Sequence, residues 1–342
     1  GRLLAWRLSR LGHRVTVFDP APDAQARGAA GWVAAGMLSP LAELECSDAR
    51  VATLGLRSLA LWERIVGQLP RPVDFRRDGS LLLAHGADLG AAQRLLAQIE
   101  SRAPVGLAPE RLSPAQLRTL EPGVHGVAHA WLLGGEGQIH TVQAMAALAQ
   151  AAADAGACWR GSHTVREIAP SRIDGERFDH VFDVRGLGAR PDLPVRGVRG
   201  EILWLQAPGV GLRRPLRLLH PRSRVYLVPR PDDIVVVGAS EIESEDRSPI
   251  SVRTLLGLLS AAHSVVPELA EARLVHSETH LRPALPDNLP LTEAQPGLTR
   301  INGLFRHGWM IAPALVEDAL RQVGFDDAGP ATQPVPVAEP AS

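Results

Sequence analysis

Two arginines lie in apolar sequence toward the end of the chain, Arg282 in Leu281-Arg282-Pro283-Ala284 and Arg306 just before His307 and Gly308. An arginine binds a carboxylate through two parallel hydrogen bonds, so a pair aimed into one apolar pocket would anchor an amino or hydroxy acid. The chain has 36 cationic side chains in all, and most of them must face solvent. A solvated surface position for either arginine therefore stays open at this point.

The sequence from Gly308 to Pro313 is typical of a glycine loop that enters a helix, here predicted over residues 313–323. Unpaired N–H groups and the dipole at a helix N-terminus stabilise negative charge. A second segment of interest is Tyr226-Leu227-Val228-Pro229-Arg230, which contains the only tyrosine of the sequence and precedes Val237-Gly238-Ala239-Ser240.

The beginning of the chain is typical of part of a dinucleotide-binding βαβ unit. Gly1 opens an amphipathic helix, and a β-branched strand over residues 15–18 ends at Asp19. In such a unit the third glycine of G-x-G-x-x-G lets the helix pack on the sheet, and an acid after the second strand binds a ribose hydroxyl. Gly1 and Asp19 fit these roles, which predicts a fragment whose first strand and two further glycines precede Gly1. A purely structural role is an equal alternative, because helix, glycine and strand ending in Asp occur in most α/β proteins.

Two further segments could lie beside such a ligand. Residues 28–37 have almost no charged or long polar side chains, which predicts either a buried loop close to a flat group or a packed helix of small residues. Residues 181–184 form a buried strand that enters a glycine turn at Gly186 and Gly188. In a Rossmann sheet, a buried strand that ends in such a glycine turn lies beside the nucleotide.

Hydrophobic periodicity predicts the elements that must position these residues. Helices are expected over residues 49–68, 89–100, 113–120, 141–155, 252–265 and 313–323. Strands are expected over residues 127–133, 201–205, 225–228 and 234–237, the last three forming an antiparallel meander. Helix-rich βα segments at both ends and in the middle, with the meander between them, predict two domains interleaved in sequence.

Composition excludes several classes of function. The 342 residues carry a net charge of −1 and contain no lysine, so P-loop nucleotidases, pyridoxal enzymes and kinases are excluded, and a nucleic-acid surface is not favoured. Two distant cysteines without a C-x-x-C motif suit a reducing cytoplasm. No apolar run reaches the roughly 18 residues of a membrane helix, and His125 with His129 lacks the further ligands of a metal site.

In their order and spacing, several of these segments resemble the amino-acid-oxidising flavoproteins of the D-amino-acid oxidase class, and within it the bacterial glycine oxidases of thiamine synthesis. The resemblance extends from Gly1 to about Val323. It rests on Gly1 with Asp19, Ala34-Ala35-Gly36-Met37-Leu38, Tyr226-Leu227-Val228-Pro229-Arg230, Val237-Gly238-Ala239, Leu281-Arg282-Pro283, and Arg306-His307-Gly308 running into Ala312-Pro313-Ala314.

The resemblance implies an α/β fold in which a Rossmann-like FAD-binding domain is interleaved with an antiparallel-sheet substrate domain. The FAD-binding domain is then expected over residues 1–77, 138–197 and 282–325, without its first strand. The substrate domain is expected over residues 78–137 and 198–281, and residues 326–342 are predicted to be a disordered tail.

The resemblance also implies noncovalent FAD as the cofactor. Asp19 is then expected to bind the adenosine ribose, Val165 to contact the adenine through its backbone, and residues 34–37 to lie against the flavin. The N–H groups of residues 308–311 are expected at the pyrimidine edge of the flavin, where they stabilise the reduced anionic ring. The cofactor-binding residues implied in this way are Gly1, Asp19, Ala34, Ala35, Gly36, Met37, Val165, Gly186, His307, Gly308, Trp309, Met310 and Ile311.

For the substrate, the resemblance implies a small amino acid whose carboxylate is held by Arg282 and Arg306 with a further hydrogen bond from Tyr226. Binding of this kind places the Cα–H over flavin N5, so that hydride transfer gives an imine and, with O2 as acceptor, hydrogen peroxide. The implied role is thiazole synthesis for thiamine in the cytoplasm. The sequence leaves the oligomeric state open, a homo-oligomer included.

Two departures from the family pattern keep alternatives open, Glu241 and the absence of the first strand with its two glycines from this sequence. The family usually has Met where this chain has Glu241, which puts specificity for glycine in doubt. A D-amino-acid or sarcosine dehydrogenase-like flavoenzyme is one alternative. A truncated or non-catalytic relative without FAD is another, because a molecule that began at Gly1 would be expected to retain FAD weakly or not at all.

Overall fold

The computed structural model describes residues 1–45, 47–103, 106–220 and 223–325. The predicted tail over 326–342 lies outside these ranges. The helices are α1 Arg2–Arg10, α2 Ala49–Val66, α3 Leu89–Arg102, α4 Pro114–Leu120, α5 Thr141–Asp154, α6 Val252–His263 and α7 Gly308–Gln322.

The strands are short except in one large sheet. In chain order they are β1 Thr16–Phe18, β2 Met37–Leu38, β3 Phe75–Arg76, β4 Ser80–Ala84, β5 Glu110–Leu112, β6 His129–Leu133, β7 Gly137–Ile139, β8 Cys158–Arg160, β9 Ile168–Ala169, β10 Arg172–Ile173, β11 Glu176–Arg177, β12 Val181–Asp183, β13 Arg196–Gln206, β14 Leu216–His220, β15 Ser223–Arg230, β16 Ile234–Gly238, β17 Arg273–Ala284, β18 Leu291–Gln295 and β19 Leu298–Asn302.

The large sheet has eight strands in the order β17-β13-β16-β15-β14-β4-β6-β5. All neighbours pair antiparallel except β14 and β4, which are parallel. The predicted antiparallel pairing of β15 with β16 is confirmed, with Leu227 opposite Val237. The strand predicted over residues 201–205 lies in β13, which pairs with β16 and not with β15, so the three strands are not a simple meander. Continuous Val and Leu runs form these strands because both faces of the sheet are covered.

The first elements of the chain form a parallel arrangement away from the large sheet. Strand β1 pairs parallel with β8, and α1 packs against α5. Strand β12 pairs parallel with β19, which continues antiparallel to β18. Parallel strands covered by helices are the architecture predicted for the nucleotide-binding part.

The run of small residues forms a loop rather than a packed helix. It contains only a 3₁₀ turn at Ala30–Trp32 and then enters β2. Gly36 has a φ of +73°, a conformation that side-chain-bearing residues rarely adopt. Of the two alternatives for this stretch, the structure therefore has the loop.

The last helix begins five residues earlier than predicted, because α7 continues through Pro313. Proline has no N–H for the carbonyl of Trp309, four residues before it. The indole Nε1 of Trp62 on α2 donates to that carbonyl at 2.8 Å, and the Ser58 hydroxyl accepts from the N–H of Ala314 at 3.1 Å. Helix α2 thus satisfies the backbone that Pro313 disrupts, which the sequence pattern alone does not reveal.

Across the described ranges, no helix is long and apolar enough to span a bilayer. Within the same ranges, no three His, Cys, Asp or Glu side chains cluster as metal ligands would.

Candidate active site

One cavity of about 3340 Å³ brings together nearly all the residues singled out in the sequence. Its lining includes Gly1, Asp19, Ala34, Ala35, Gly36, Met37, Val165, Gly186, Tyr226, Arg282, Arg306, His307, Gly308, Trp309 and Met310. Ile311 is the exception, because its side chain is fully buried in the core and its N–H donates to the His307 carbonyl at 3.0 Å. After the roles expected from the sequence, we call the part around Gly1, Asp19 and Val165 the nucleotide end, and the part around Tyr226, Arg282 and Arg306 the substrate end.

The nucleotide end is formed by the start of α1 and the end of β1. Asp19 accepts a hydrogen bond at Oδ1 from the N–H of Ala21 at 2.9 Å. Among the described residues, no group donates to its other oxygen, which leaves Oδ2 available to a hydroxyl. Arg2 lies beside this acid with its guanidinium 5.3 Å from the Trp32 ring and 5.4 Å from the Trp159 ring. This end suits a hydroxylated, anionic ligand at a helix N-terminus.

The middle of the cavity lies between two backbone segments, the small-residue loop and the start of α7, and we call this part the slot. Trp309 Nε1 donates to the Gly31 carbonyl at 2.9 Å, which joins the start of α7 to the loop of small residues. Helix geometry leaves the N–H groups of Gly308, Trp309 and Met310 without intrahelical acceptors. The predicted donor set 308–311 therefore narrows to 308–310, since Ile311 uses its N–H inside the helix.

The loop that forms the other wall of the slot is fixed from behind. Thr141 Oγ1 donates to the Ala34 carbonyl at 2.8 Å, and a guanidinium nitrogen of Arg230 donates to the Ala35 carbonyl. Arg230 is buried, which lowers its pKa to about 10. Burial and the neighbouring Arg230 lower the pKa of His140 to about 4, so this imidazole is neutral. The carbonyls of Ala34 and Ala35 are thus engaged by donors that do not line the cavity, and this wall carries no charged side chain.

Tyr226 and Arg282 approach each other from two strands of the large sheet. Tyr226 on β15 is opposite Gly238 on β16, and a Cβ on Gly238 would lie 2.7 Å from the phenol oxygen. Arg282 on β17 donates through both terminal nitrogens to the Ser240 carbonyl, at 3.0 and 3.1 Å. Burial raises the pKa of Tyr226, so its hydroxyl stays protonated and can donate.

Arg282 has no carboxylate within ion-pairing distance in the part of the chain that the structure describes. Burial lowers its pKa, but the group remains cationic at neutral pH. A half-buried guanidinium without an acidic partner is costly unless an anion reaches it. Arg282 is therefore suited to a ligand carboxylate.

Arg306 differs, because it already binds two carboxylates. Its Nε donates to Glu43 Oε2 at 2.8 Å, and its Nη1 donates to Glu241 Oε2 at 3.2 Å. Glu43 also accepts from Arg217 at 2.6 Å and lies 3.3 Å from His307 Nδ1. Burial opposes the ionisation of Glu43, but Arg217, Arg306 and His307 lower its pKa to about 2. Burial lowers the pKa of His307, so the imidazole is neutral at pH 7.

A second buried carboxylate positions the segment that carries Glu43. Glu136 Oε1 accepts from the N–H groups of Leu41 and Ala42, at 3.1 and 2.7 Å. Ser80 also donates its hydroxyl to Glu136. Glu136 therefore fixes the 3₁₀ turn Ala42–Glu45 at the substrate end.

Sequence reasoning missed Glu43, Arg217 and Glu136. The signal for Glu43 was an acid inside the apolar sequence Leu41-Ala42-Glu43-Leu44, directly after the loop of small residues. An acid in such a position needs a cationic partner. For Arg217, one of many arginines, no comparable signal existed.

Taken together, the cavity offers uncharged walls and N–H donors in its slot and a carboxylate anchor beside it. The backbone donors suit a flat ring that gains negative charge, and the anchor suits a small acid. This arrangement can bind a nucleotide-like cofactor and an acid substrate side by side.

Comparison with known proteins identifies relatives along nearly the whole chain. The family model described as "FAD dependent oxidoreductase" matches residues 1–318. A putative thiamine biosynthesis oxidoreductase of Rhizobium etli is 37% identical over 324 residues, covering 94% of this chain and 93% of the relative. A glycine oxidase of Geobacillus kaustophilus is 26% identical, covering 95% and 92%.

Solved structures agree in fold. The crystal structure of glycine oxidase from Geobacillus kaustophilus has a TM-score of 0.82 at 24% identity, covering 97% of this chain and 96% of that one. That of iminodiacetate oxidase from a Chelativorans species has a TM-score of 0.79 at 24% identity, covering 94% and 92%. The predicted α/β fold class is confirmed, while the domain boundaries remain a prediction.

Proposed function

Because the chain belongs to the family of FAD-dependent oxidoreductases, we propose that it oxidises glycine or another small amino acid to the imine, with O2 as the electron acceptor. The predicted FAD-dependent enzyme class and the predicted cofactor are confirmed by family membership.

The observation that carries the proposal is the position of Arg282. Its guanidinium lacks an acidic partner among the described residues and lies beside a protonated tyrosine, at the end of the slot. A carboxylate of the substrate would neutralise Arg282 and accept a hydrogen bond from Tyr226. Both contacts would hold the substrate carbon against the slot, which reduces oxidation to a problem of positioning.

The residues of the nucleotide end and the slot fit FAD. The free oxygen of Asp19 would bind a ribose hydroxyl, the backbone at Val165 would face the adenine, and the loop 34–37 would lie against the ring. The N–H groups of Gly308, Trp309 and Met310 would donate to the ring edge that gains charge. When bound, FAD supplies the two-electron acceptor for the hydride at the substrate Cα.

The acid at the centre of the charge cluster is not suited to act as a base. Glu43 is ion-paired and its pKa is about 2, so it does not take up a proton at neutral pH. His307 directs Nδ1 toward the same carboxylate at 3.3 Å. In the proposed reaction the substrate amine arrives neutral or loses its proton to solvent, and the chain contributes by orienting the substrate.

A role in thiamine synthesis is supported by the name of the Rhizobium etli relative, a putative thiamine biosynthesis oxidoreductase. A second candidate is a dehydrogenase-like enzyme that passes electrons to a carrier. For this second candidate the proposed residue roles are the same, and only the electron acceptor differs.

The test is to add glycine, sarcosine or D-alanine anaerobically to the FAD-loaded protein and then to admit air. Bleaching of the flavin spectrum by glycine, followed by one peroxide per substrate consumed, would support the proposal. Bleaching without peroxide would favour the dehydrogenase. A loaded protein that no small amino acid reduces would contradict the proposed function.

A further inference from the structure

Glu241 lies at the outer edge of the substrate end. It directly follows Ser240, whose carbonyl binds Arg282, and its own carboxylate lies 3.2 Å from Arg306 Nη1. The Glu241 side chain is 43% exposed, whereas that of its partner Arg306 is 16% exposed. Glu241 therefore lines the cavity together with Arg282 and is also in contact with solvent.

The charges at this end are nearly balanced before any ligand binds. Arg217 and Arg306 share Glu43, Arg306 also binds Glu241, and Arg217 lies 3.8 Å from Glu45. Of the arginines Arg217, Arg282 and Arg306, only Arg282 has no carboxylate within ion-pairing distance in the described ranges. One ligand carboxylate can thus be neutralised, but a second would meet cations that already have anionic partners.

We propose that Glu241 is a specificity-determining residue that restricts the substrate to amino acids with a single carboxylate. The inference rests on the proposed function and names the substrate class of the same site. A second anionic group near Arg306 would have to displace Glu241 or lie beside it, and like charges in contact are strongly unfavourable. Glycine and sarcosine carry one carboxylate, whereas iminodiacetate is sarcosine with a carboxyl group on its methyl.

The experiment compares the wild type with Glu241→Gln, which removes the charge and keeps the shape. We expect the ratio of kcat/KM for iminodiacetate to that for sarcosine to rise about fivefold or more in the variant, because partial exposure of Glu241 weakens the repulsion. The matched control is Glu243→Gln. Glu243 is 66% exposed, pairs with Arg196 at 3.0 Å and does not line the cavity.

A binding measurement tests the effect of the Glu241 charge on ligand affinity without the catalytic reaction. Acetate and malonate are titrated into the FAD-loaded proteins, and the shift of the flavin absorbance reports binding. Malonate should gain affinity relative to acetate in Glu241→Gln and not in Glu243→Gln. In the wild type, raising the salt concentration should narrow the discrimination against malonate, since screening weakens repulsion between exposed charges.

The outcomes distinguish this inference from the proposed function. Acetate binding with an unchanged malonate-to-acetate ratio in Glu241→Gln would overturn the inference alone, as would an equal change in Glu243→Gln. A wild type that oxidises iminodiacetate as well as sarcosine would also overturn it. If neither acetate nor glycine perturbs the flavin of any of the three proteins, the proposed function fails and the inference with it.

Discussion

The two ends of the cavity offer a ligand different kinds of surface. At the nucleotide end and in the slot, backbone groups and one acid form the surface, as with the N–H groups that begin α7. At the substrate end, three arginines and several carboxylates form a charge cluster, and only Arg282 in it lacks an acidic partner among the described residues. A surface formed by backbone groups tolerates side-chain substitution, whereas a buried charge cluster is destabilised when any one of its charged members is removed.

The strongest test of this contrast is Arg282→Lys. We expect kcat/KM for glycine to fall about a thousandfold, because lysine cannot make the paired hydrogen bonds that arginine makes to a carboxylate. The FAD content, measured by absorbance after gel filtration, should be unchanged, since the nucleotide end is separate.

The matched variant is Arg306→Lys. Arg306 is already bound to Glu43 and Glu241, so its loss of activity should be at least tenfold smaller. Equal losses in the two variants would break the distinction between the two arginines.

The next effect in size is on stability. Replacement of Glu43 by Gln leaves Arg217 and Arg306 facing each other without their shared anion, which should lower the free energy of unfolding by about 3 kcal/mol at pH 7. Urea unfolding measures this. The control Glu63→Gln, in an exposed pair with Arg77, should cost less than about 1 kcal/mol.

At low pH the difference in unfolding free energy between Glu43→Gln and the wild type should disappear. The folded protein holds the pKa of Glu43 at about 2, below its ordinary value of 4.5. Ionised Glu43 thus stabilises the fold above about pH 4.5, and this contribution is lost as the pH falls toward 2. A difference in unfolding free energy between the two proteins that stays constant from pH 6 to pH 3 would contradict this account.

A smaller effect is expected for Trp62→Phe, which tests how the start of α7 is held. The variant leaves the Trp309 carbonyl without the indole donor that replaces the missing N–H of Pro313. We expect a loss of about 1–3 kcal/mol in unfolding free energy. Thermal melts with and without FAD should show the loss in both; an unchanged melting temperature would mean that the carbonyl finds another donor.

The smallest effect is expected at the nucleotide end, for Asp19→Asn. Loss of the charged acceptor for a ribose hydroxyl should weaken FAD binding about tenfold, with kcat unchanged at saturating FAD. Titration of the apoprotein by flavin fluorescence measures it. Asp23→Asn is the control, because Asp23 also accepts loop N–H groups but does not line the cavity. Similar weakening in both variants would contradict the role of Asp19.

The parts of the candidate site formed by backbone groups were predicted from the sequence more completely than the charge cluster. Gly1, Asp19 and the small-residue loop can be recognised from the residues around them. A backbone that comes close to a ligand needs glycine or other small residues, and an acid at the end of a strand marks a ribose-binding position. The antiparallel pair β15 and β16 and most helix boundaries were predictable for the same reason, as with Thr141–Asp154 for the expected 141–155. The start of α7 was not, since Trp62 and Ser58 act on it across the fold.

The pairing of Arg306 with Glu43 could not be read from the sequence. Arginine 306 and glutamate 43 are 263 positions apart, and any of many acids could have faced that guanidinium. Only the packing of α2 against α7, together with the turn held by Glu136, decides which acid does.

The separation of Glu43 from Arg306 also affects how the protein is made. During synthesis the Glu43 carboxylate is made 263 residues before its partner. Local structure can form meanwhile, but this long-range contact must wait until Arg306 has been added. A nascent polypeptide that has not yet reached Arg306 therefore contains the acid without its arginine, and this part of the charge cluster can form only after translation has passed position 306.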